Sequence, residues 1–389
     1  MKIVCHMSSV HRSLDIRIFH KECVSLARAG YDTHLIINAN RDDVKEAARH
    51  GVTVHALKYV PEKRRLSRML FHAFNCYKMA KRLNADLYHL HDPELMPYGL
   101  LLVWSGKLVV FDVHEDLAGS IMSKNWIPYF ARHVISRLSR NFERFCANYF
   151  SAVVAATPYI GALFHGVKAR VSIVNNFPIR GELVTESNQE IVIRDSVCYV
   201  GGIEETRGIK EIVYAIGMVQ CPLLIAGRFG SPELRDKIMK FPGWGYVNEY
   251  GFVNRESVTS IMQRSFCGLV TLYPVPNYVN ALPIKMFEYM SAGVPVIASD
   301  FPLWRKIIEG SECGICVDPK SQEQIANAIL YLRDRPDEVV RMGENGRRAI
   351  DDLYRWDREE HEMLSLYRKL LFEEDLHDEK ELEKYGGVI

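Results

Sequence analysis

Short apolar runs alternate with stretches of helical periodicity along the first half of the chain. Several of the runs are apolar throughout, which is typical of strands in a parallel sheet covered on both faces. We predict strands at Lys2–Met7, His34–Asn38, Val52–Leu57, Asp86–His91, Leu108–His114, Ala152–Thr157 and Val171–Asn175. Helical patterns separate most of them, at Arg17–Ala29, Leu66–Leu83 and Tyr129–Ala147.

The alternation restarts after a polar connection over Ile179–Asp195. The second series of apolar runs is VCYVGG, PLLIAG, YGFV, CGLVTLYP, VPVIAS and GICV, again separated by helical patterns. Two βαβ series predict an α/β protein with two doubly wound, Rossmann-like domains, at 1–180 and 181–354. A helix over 355–374 that returns to the first domain and an acidic tail over 375–389 complete this prediction. Ligands of such sheets bind beyond the carboxyl ends of the strands, so a cleft faced by both domains is the expected site.

Composition narrows the class of protein. The 389 residues are 48% hydrophobic and 25% charged, which is ordinary for a globular chain and excludes disorder as the main state. No apolar stretch reaches the ~18 residues of a membrane span, and the first residues lack the apolar core of a signal peptide. Nine cysteines without framework spacing favour a reducing compartment, so we expect a cytoplasmic protein.

Charge is distributed unevenly. Residues 1–180 hold 25 Lys and Arg against 14 Asp and Glu, although the whole chain carries only +1. Two stretches concentrate this charge, EKRRLSRMLFHAFNCYKMAKRL and NWIPYFARHVISRLSRNFERF. Both read as basic amphipathic helices that either lie on the anionic face of the cytoplasmic membrane or are solvated faces over the sheet. Nucleic acid is disfavoured as a partner, because no recognition-helix or basic–aromatic RNA motif is present.

The segment Asn280–Asp300, NALPIKMFEYMSAGVPVIASD, carries the most specific chemistry. Pro283 suits the first turn of a helix and Gly293 suits its end. The start of this helix offers free amides and a positive dipole end, which favours a phosphate. Lys285 adds a full charge there, and Glu288, on the same face, could accept hydrogen bonds from a ribose diol. The alternative is a Lys–Glu surface pair on a packing helix.

The segment resembles the family-4 retaining glycosyltransferases of the GT-B fold, which carry two Glu residues before a Gly-x-Pro-Val motif. Glu288 matches the second Glu and GVPVIASD follows in register, whereas Asn280 replaces the first Glu. The stretches CYVGGIEETRGIKEIVYAI, YGFVNRESV, VNNFP and SSVHRSLDIRIFHKECVSLARAGYDTHLI resemble further motifs of that family. The variant LPxKxFEYMxxGxPVIASD resembles members encoded with surface-polysaccharide genes.

The resemblance implies a donor site in the second domain. Glu288 would hold the nucleotide ribose, and Arg207 would replace the Lys that neutralises the diphosphate. A second diphosphate cation of the family is Gly202 here, so Lys285 or Arg228 would supply that charge. The backbone of Val253 would contact the base of the nucleotide. Asn280 and the backbone amides near Ala281 and Leu282 would lie beside the donor sugar.

The first domain contributes the remaining candidates. His114, after the strand FDV, matches the family's histidine near the donor sugar, where it could hydrogen-bond the sugar or shuttle a proton. In YHLHDPEL, a His-x-His beside acids could bind metal. Because the resemblance implies metal-independent transfer, we predict no metal and place His91 and Asp92 on the acceptor side. Asp15 and Arg17 are read either as acceptor-side residues or as a buried pair that braces a loop.

Together these features predict a retaining hexosyltransferase without a cofactor. The donor would be a UDP- or GDP-linked sugar, and the acceptor a glycan or lipid-linked unit of capsule, exopolysaccharide or O-antigen. Loss of charge at Asn280 and Gly202 leaves a non-catalytic scaffold subunit as one alternative. A nucleotide-sugar epimerase or hydrolase is another, whereas an NAD-dependent oxidoreductase is disfavoured because no GxGxxG follows the first strand.

Overall fold

The computed structural model describes residues 1–57, 65–122, 124, 127–183 and 194–385, with only the backbone at 12, 65–70 and 373–385. The chain forms two compact units. The first unit comprises Met1–Asn176 with Asp357–Ile389, and the second comprises Phe177–Trp356. The first boundary therefore falls four residues before the one expected from the sequence.

The first unit contains a seven-stranded parallel sheet in the order β3-β2-β1-β4-β5-β6-β7. Its strands are β1 (Ile3–Arg12), β2 (Asp32–Asn38), β3 (Val52–Ala56), β4 (Leu87–Leu90), β5 (Leu108–Val113), β6 (Ala152–Ala155) and β7 (Arg170–Ile173). All seven predicted strands are present. The change of direction between β1 and β4 makes the carboxyl ends of these two strands the switch point of the sheet, where ligands of doubly wound folds bind.

A π-helix, Ile16–Cys23, opens the helical layer of this unit where an α-helix from Arg17 was predicted. The α-helices are α1 (Val24–Arg28), α2 (Arg41–Arg49), α3 (Arg65–Leu83), α4 (Met96–Trp104), α5 (Leu117–Met122), α6 (Tyr129–Ala147) and α7 (Pro158–Leu163). A single-turn 3-10 helix, Pro93–Leu95, precedes α4. The bounds of α6 agree with those predicted from hydrophobic periodicity.

The second unit contains a six-stranded parallel sheet in the order β10-β9-β8-β11-β12-β13. Its strands are β8 (Ser196–Val200), β9 (Leu223–Ala226), β10 (Val247–Gly251), β11 (Ser265–Val270), β12 (Val296–Ser299) and β13 (Gly314–Val317). Every residue of β9, β11 and β12 is buried, as their continuous apolar sequences predict for strands with both faces covered.

Helices cover both faces of the second sheet. They are α8 (Ile209–Val219), α9 (Pro232–Ile238), α10 (Arg255–Gln263), α11 (Pro276–Val279), α12 (Ile284–Ala292), α13 (Pro302–Ile308), α14 (Gln322–Arg333) and α15 (Pro336–Asp352). Single 3-10 segments lie at Glu205–Arg207 and Pro242–Tyr246. Two apolar clusters, one on each side of the sheet, form the core, and Trp304 and Tyr289 are among their largest fully buried side chains.

The last helix, α16 (Trp356–Tyr385), extends beyond the predicted helix into the segment expected to be a non-helical acidic tail. From Asp357 onward it belongs to the first unit. Glu359 accepts a hydrogen bond from the Asn175 amide at 2.6 Å, and the buried Tyr367 hydroxyl lies 2.7 Å from His89 Nδ1. Among the described residues, no helix combines the length and hydropathy that a membrane span requires.

Candidate functional site

The most distinctive site of the second unit lies at the start of α12. Pro283 precedes the first helical residue, the Met286 amide donates to the Pro283 carbonyl, and Gly293 ends the helix with a φ of 68°. The helix is buried along its whole length. A helix start of this kind presents amides and the positive end of the aligned peptide dipoles to any anion nearby.

Lys285, in the first turn of α12, is a buried cation without a hydrogen-bond partner. It is only 8% exposed, and its Nζ donates no hydrogen bond. The ammonium group lies 3.7 Å from the centre of the Tyr199 ring and beside the backbone of Gly201, which follows β8. Burial, and then the nearby charge of Arg207, lower the pKa of Lys285 well below its usual value. Burial of both members also excludes the Lys285–Glu288 surface pair considered above.

Arg207 is the second cation at this position. Its guanidinium lies 3.5 Å from the point where a side chain at Gly202 would begin, and its Nε is buried without a hydrogen-bond partner. A side chain at position 202 would therefore begin at ordinary contact distance from Arg207. Two further buried atoms after β11, Thr271 Oγ1 and Asn277 Oδ1, also lack a partner in the described structure.

Glu288 lies one turn further along α12 and pairs with Arg255, which was not among the site residues predicted from the sequence. Arg255 Nη1 donates to Glu288 Oε1 at 2.6 Å, and the same guanidinium pairs with Glu182 at 2.8 Å. Arg255 belongs to the motif YGFVNRESV, which was recognised in the sequence although no role was assigned to this arginine. A ligand hydroxyl at Glu288 would share this carboxylate with Arg255.

Arg228 follows strand β9, and Val253 follows strand β10. Arg228 is exposed and its guanidinium carbon lies 5.0 Å from the ring centre of Phe252, itself largely exposed. Val253 is half-buried against the core of the second unit. Lys285 and Arg207, rather than the exposed Arg228, form the closely spaced cation pair.

Asn280 caps the end of α11, four residues before the first residue of α12. The Ala281 amide donates to the Tyr278 carbonyl at 3.0 Å, and the Ala281 carbonyl accepts from Trp304 Nε1 at 2.7 Å. Ala281 therefore holds the loop in place and its amide is already used, which corrects its predicted role as a free donor to a sugar. Leu282 is half-buried beside it.

In the first unit, Asp92 organises the irregular second half of β1. Its Oδ2 accepts hydrogen bonds from Ser8 Oγ at 2.8 Å and from the Ser9 amide at 2.6 Å. Its Oδ1 lies 2.9 Å from His11 Nδ1. Burial opposes ionisation of Asp92, but His11 and the serine donors outweigh it and lower the pKa to about 2. The same pairing raises the pKa of His11 against the effect of burial.

His114 and His11 are the partly exposed histidines at this end of the sheet. Their rings are 5.1 Å apart and meet edge to face, and their side chains are 30% and 28% exposed. His114 Nδ1 lies 3.7 Å from Asp112 Oδ2. His11 was not among the predicted site residues, although it lies in the recognised loop SSVHRSLD.

The structure corrects the acceptor-side assignment of Arg17 and His91, which are 4% and 0% exposed. Arg17 donates hydrogen bonds to both oxygens of Asp112 and to the Val174 carbonyl, so its guanidinium binds buried groups of the protein itself. His91 Nδ1 lies 3.1 Å from Asp112. These contacts favour the loop-bracing interpretation of the Arg17 region.

Asp15 and Asp92 also have structural roles that the sequence did not show. Asp15 caps the π-helix by accepting from the amides of Arg17 and Ile18. The carboxylate of Asp92 is 3% exposed and is surrounded by the donors described above. Neither is a free acceptor-side group in the structure, because helix capping and loop closure already use their oxygens.

Two family models match successive parts of the chain. "Glycosyltransferase Family 4" matches residues 18–177, and "Glycosyl transferases group 1" matches residues 185–349. The alpha-D-kanosaminyltransferase of Streptomyces kanamyceticus is 27% identical over 161 residues, which are 39% of this chain and 40% of that enzyme. The chain thus matches less than half the length of this curated relative.

Solved structures share the fold over almost the whole chain. Sucrose-phosphate synthase from Thermosynechococcus elongatus aligns over 95% of this chain and 99% of that one, with a TM-score of 0.76 and 19% identity. Anabaena HepE, solved in complex with UDP and glucose, aligns over 95% and 100%, with a TM-score of 0.71 and 15% identity. The two parallel sheets are thus those of a GT-B fold, and the chain belongs to the family-4, group 1 glycosyltransferases.

Proposed function

We propose that this glycosyltransferase is a retaining, metal-independent hexosyltransferase that uses a nucleotide-diphosphate sugar. The acceptor is a glycan or lipid-linked unit in surface-polysaccharide synthesis, and UDP or GDP carries the sugar. One observation supports the donor class above the others. The buried Lys285, at the start of the buried helix α12, lies near the half-buried Arg207, and each has a buried side-chain nitrogen without a hydrogen-bond partner among the described residues.

A diphosphate is the ligand whose charge and oxygens satisfy that arrangement. Cations that repel each other in the interior are costly unless an anion lies between them. The diphosphate oxygens would accept from Lys285 Nζ and Arg207 Nε, and the dipole of α12 would add to their attraction. When the sugar bond breaks, the same groups stabilise the charge that develops on the leaving phosphate, which needs no metal ion.

Glu288 is proposed to bind the ribose diol of the nucleotide. Its carboxylate is buried and charge-paired with Arg255, so it remains an acceptor for hydroxyl groups. The backbone near Val253 would contact the base. Arg255 then acts as a positioning residue that fixes the carboxylate, a role that Glu182 supports by binding the same guanidinium.

For the transfer step we propose roles for Asn280 and His114. An amide at 280 can hydrogen-bond sugar hydroxyls but cannot act as a charged base or nucleophile. Departure of the nucleotide diphosphate and attack by the acceptor hydroxyl on the same face would therefore proceed without a covalent intermediate at this position. His114 would hydrogen-bond the sugar or carry a proton.

Contact with the cytoplasmic membrane is proposed through α6. Its exposed face is mainly apolar: Phe130 is 77% exposed, and Tyr129, Val134 and Leu138 are exposed too, with the predicted Arg137 exposed among them. Of the arginines predicted to face the bilayer, 132, 140 and 144 donate to protein oxygens instead. Predicted contacts at 63, 64 and 126, and the side chains at 65 and 68, lie outside the described residues. The aromatic face would insert at the level of the lipid headgroups.

The proposal is tested by donor turnover. Purified protein is incubated with UDP- and GDP-sugars, with and without lipid-linked glycan acceptors, and the product linkage is read by NMR. We expect transfer from one donor class with the anomeric configuration retained, no loss of activity with a chelator present, and strong loss in His114→Ala. Inversion would refute the retaining assignment, and donor hydrolysis without transfer would favour the hydrolase alternative. Binding of a nucleotide without turnover would favour the scaffold alternative.

The membrane contact has its own test. A double variant, Tyr129→Ser with Phe130→Ser, is compared with wild type in a flotation assay with anionic vesicles. We expect reduced flotation at unchanged melting temperature, because both side chains are already exposed. Equal flotation of wild type and variant would remove α6 as the docking surface.

A further inference from the structure

A cluster of three histidines and one glutamate lies in the interior of the first unit, apart from the donor site. His6 on β1 and His89 on β4 are partners in the sheet register, and His91 follows two residues later on the same face. Glu22 reaches the cluster from the π-helix. All four side chains are completely buried, with 0% exposure. π-helical turns are rare and occur often at functional sites.

The ligand-capable atoms of this cluster converge. One such atom from each residue lies within 4.8 Å of those of the other three. His6 Nδ1 and His91 Nε2 are both 3.7 Å from Glu22 Oε2, and His89 Nδ1 is 4.0 Å from it. Metal–ligand bonds of about 2.0–2.1 Å place tetrahedral ligand atoms about 3.4 Å apart, so the separations to Glu22 would shorten by about 0.3–0.6 Å and the widest separation in the cluster by about 1.4 Å. His6 Nδ1 and His91 Nε2, now 2.8 Å apart, would separate by about 0.6 Å.

The polar atoms of the cluster are incompletely satisfied by protein. Among the described residues, neither carboxylate oxygen of Glu22 accepts a hydrogen bond, and His89 Nε2 has no hydrogen-bond partner. Arg17 Nε is 3.1 Å from Glu22 Oε1, but the guanidinium is also held by Asp112. One arginine is thus shared by two buried carboxylates. A buried carboxylate without sufficient partners is expensive unless it is protonated or binds a cation.

The outward nitrogens of His6 and His91 already have the partners that metal ligands require. His91 Nδ1 is 3.1 Å from Asp112, and His6 Nε2 is 3.2 Å from the Tyr367 hydroxyl of α16. His89 Nδ1 is 2.7 Å from the same hydroxyl, so His89 would bind the ion either through Nε2 or after Nδ1 releases this contact. Such contacts fix the ring orientation and the tautomer of metal-bound histidines.

We propose that His6, Glu22, His89 and His91 bind one divalent transition-metal ion of the zinc class at a closed structural site. Three imidazoles and a carboxylate suit zinc, and complete burial leaves no open position for substrate. The ion ties the π-helix to the switch point of the first sheet. The sequence analysis predicted no metal and considered only the His89–His91 pair with Asp92 and Glu94. Transfer chemistry at the donor site remains independent of this ion.

The test is metal content of tag-free protein expressed with added zinc. We expect one zinc ion per chain after desalting and little in Glu22→Gln. Tyr367→Phe, which removes an outer partner but no ligand, retains the ion. His55→Gln is the matched control, because His34 and His55 form another close pair, 2.9 Å apart, outside the cluster. It also retains the ion.

A second readout uses wild type alone, in case Glu22→Gln does not fold. Chelator-treated protein is titrated with Co²⁺, and we expect the visible absorption of a tetrahedral N/O site and a rise in melting temperature, both displaced by zinc. Folded wild type with substoichiometric zinc and no tetrahedral Co²⁺ spectrum would overturn the proposal. It would identify the cluster as a hydrogen-bonded network with Glu22 protonated.

Discussion

Replacement of Lys285 by methionine separates the stability of the free protein from nucleotide binding. The ammonium group is buried, donates no hydrogen bond and lies near the like charge of Arg207. Methionine keeps an unbranched apolar chain against the Tyr199 ring but removes the charge. We therefore expect Lys285→Met to stabilise the free protein and to weaken binding of nucleoside diphosphates.

The size of both effects follows from the burial. A buried donor without a partner costs about 1–3 kcal/mol, and more when it is charged. The cation–π contact with Tyr199 offsets about 2 kcal/mol of this cost. At the upper end of that range a net gain of about 1 kcal/mol in unfolding free energy remains, which raises the melting temperature of a unit of this size by about 2–4 °C. Loss of one charged hydrogen bond to phosphate, about 1.5–3 kcal/mol, weakens binding about 10- to 100-fold.

The assay is thermal unfolding with and without nucleoside diphosphate, followed by calorimetric titration. Lys320→Met is the matched control, because Lys320 also lies over a tyrosine ring, Tyr273, at 5.5 Å, but is exposed. It should change neither property by a measurable amount. A Lys285→Met protein that melts lower than wild type and still binds nucleotide with full affinity would refute the reasoning.

Two further predictions concern local structure. Asp92→Asn should lower the free energy of unfolding at pH 7 by up to about 2.5 kcal/mol. The reason is that the pKa of the Asp92 carboxyl is about 2 in the folded protein and about 3.9 in the unfolded chain. In wild type this contribution is complete above pH 4 and is lost as pH falls through 2; equal urea midpoints of both proteins at pH 7 would contradict it. Gly208→Ala should lower the free energy of unfolding by about 2–5 kcal/mol, because the φ of Gly208 is 76° and a Cβ there would lie 2.2 Å from the Thr271 carbonyl oxygen. Gly181→Ala, with the same φ and open space, should cost only about 1–2 kcal/mol, and equal losses in urea unfolding would contradict this account.

Local patterns predicted the elements of the fold well. Most strands are compact apolar runs, although β10 (VNEYG) is not and overlaps the predicted run YGFV by only two residues. α12 is delimited by Pro283 and Gly293, whose backbone preferences act locally. The π-helix was read as an ordinary helix, because both kinds of helix bury a similar apolar face. The length of α16 was underestimated, because its acidic end lacks the apolar period that marks packed helices.

The candidate site could be predicted only in part. Residue type and position along the predicted helix marked Lys285 and Glu288 as candidates, and the family resemblance added Arg207. The partners of Arg17 and Glu288 are far away in sequence, at Asp112 and Arg255, and no local signal reports such pairs. The histidine cluster likewise depends on the pairing of β1 with β4, which brings together residues 83 positions apart.

The measurement that tests the central claim most directly is thermal unfolding with UDP, GDP, ADP, CMP and dTDP for wild type, Glu288→Ala and Glu182→Ala. A nucleotide at about 100 times its dissociation constant adds about 2.7 kcal/mol, a shift of several degrees for a domain of this size. We predict a shift with one nucleotide that is lost in Glu288→Ala. Glu182→Ala, which removes the other partner of Arg255, should keep most of that shift. No shift with any nucleotide, or a full shift in Glu288→Ala, would contradict a donor site at α12.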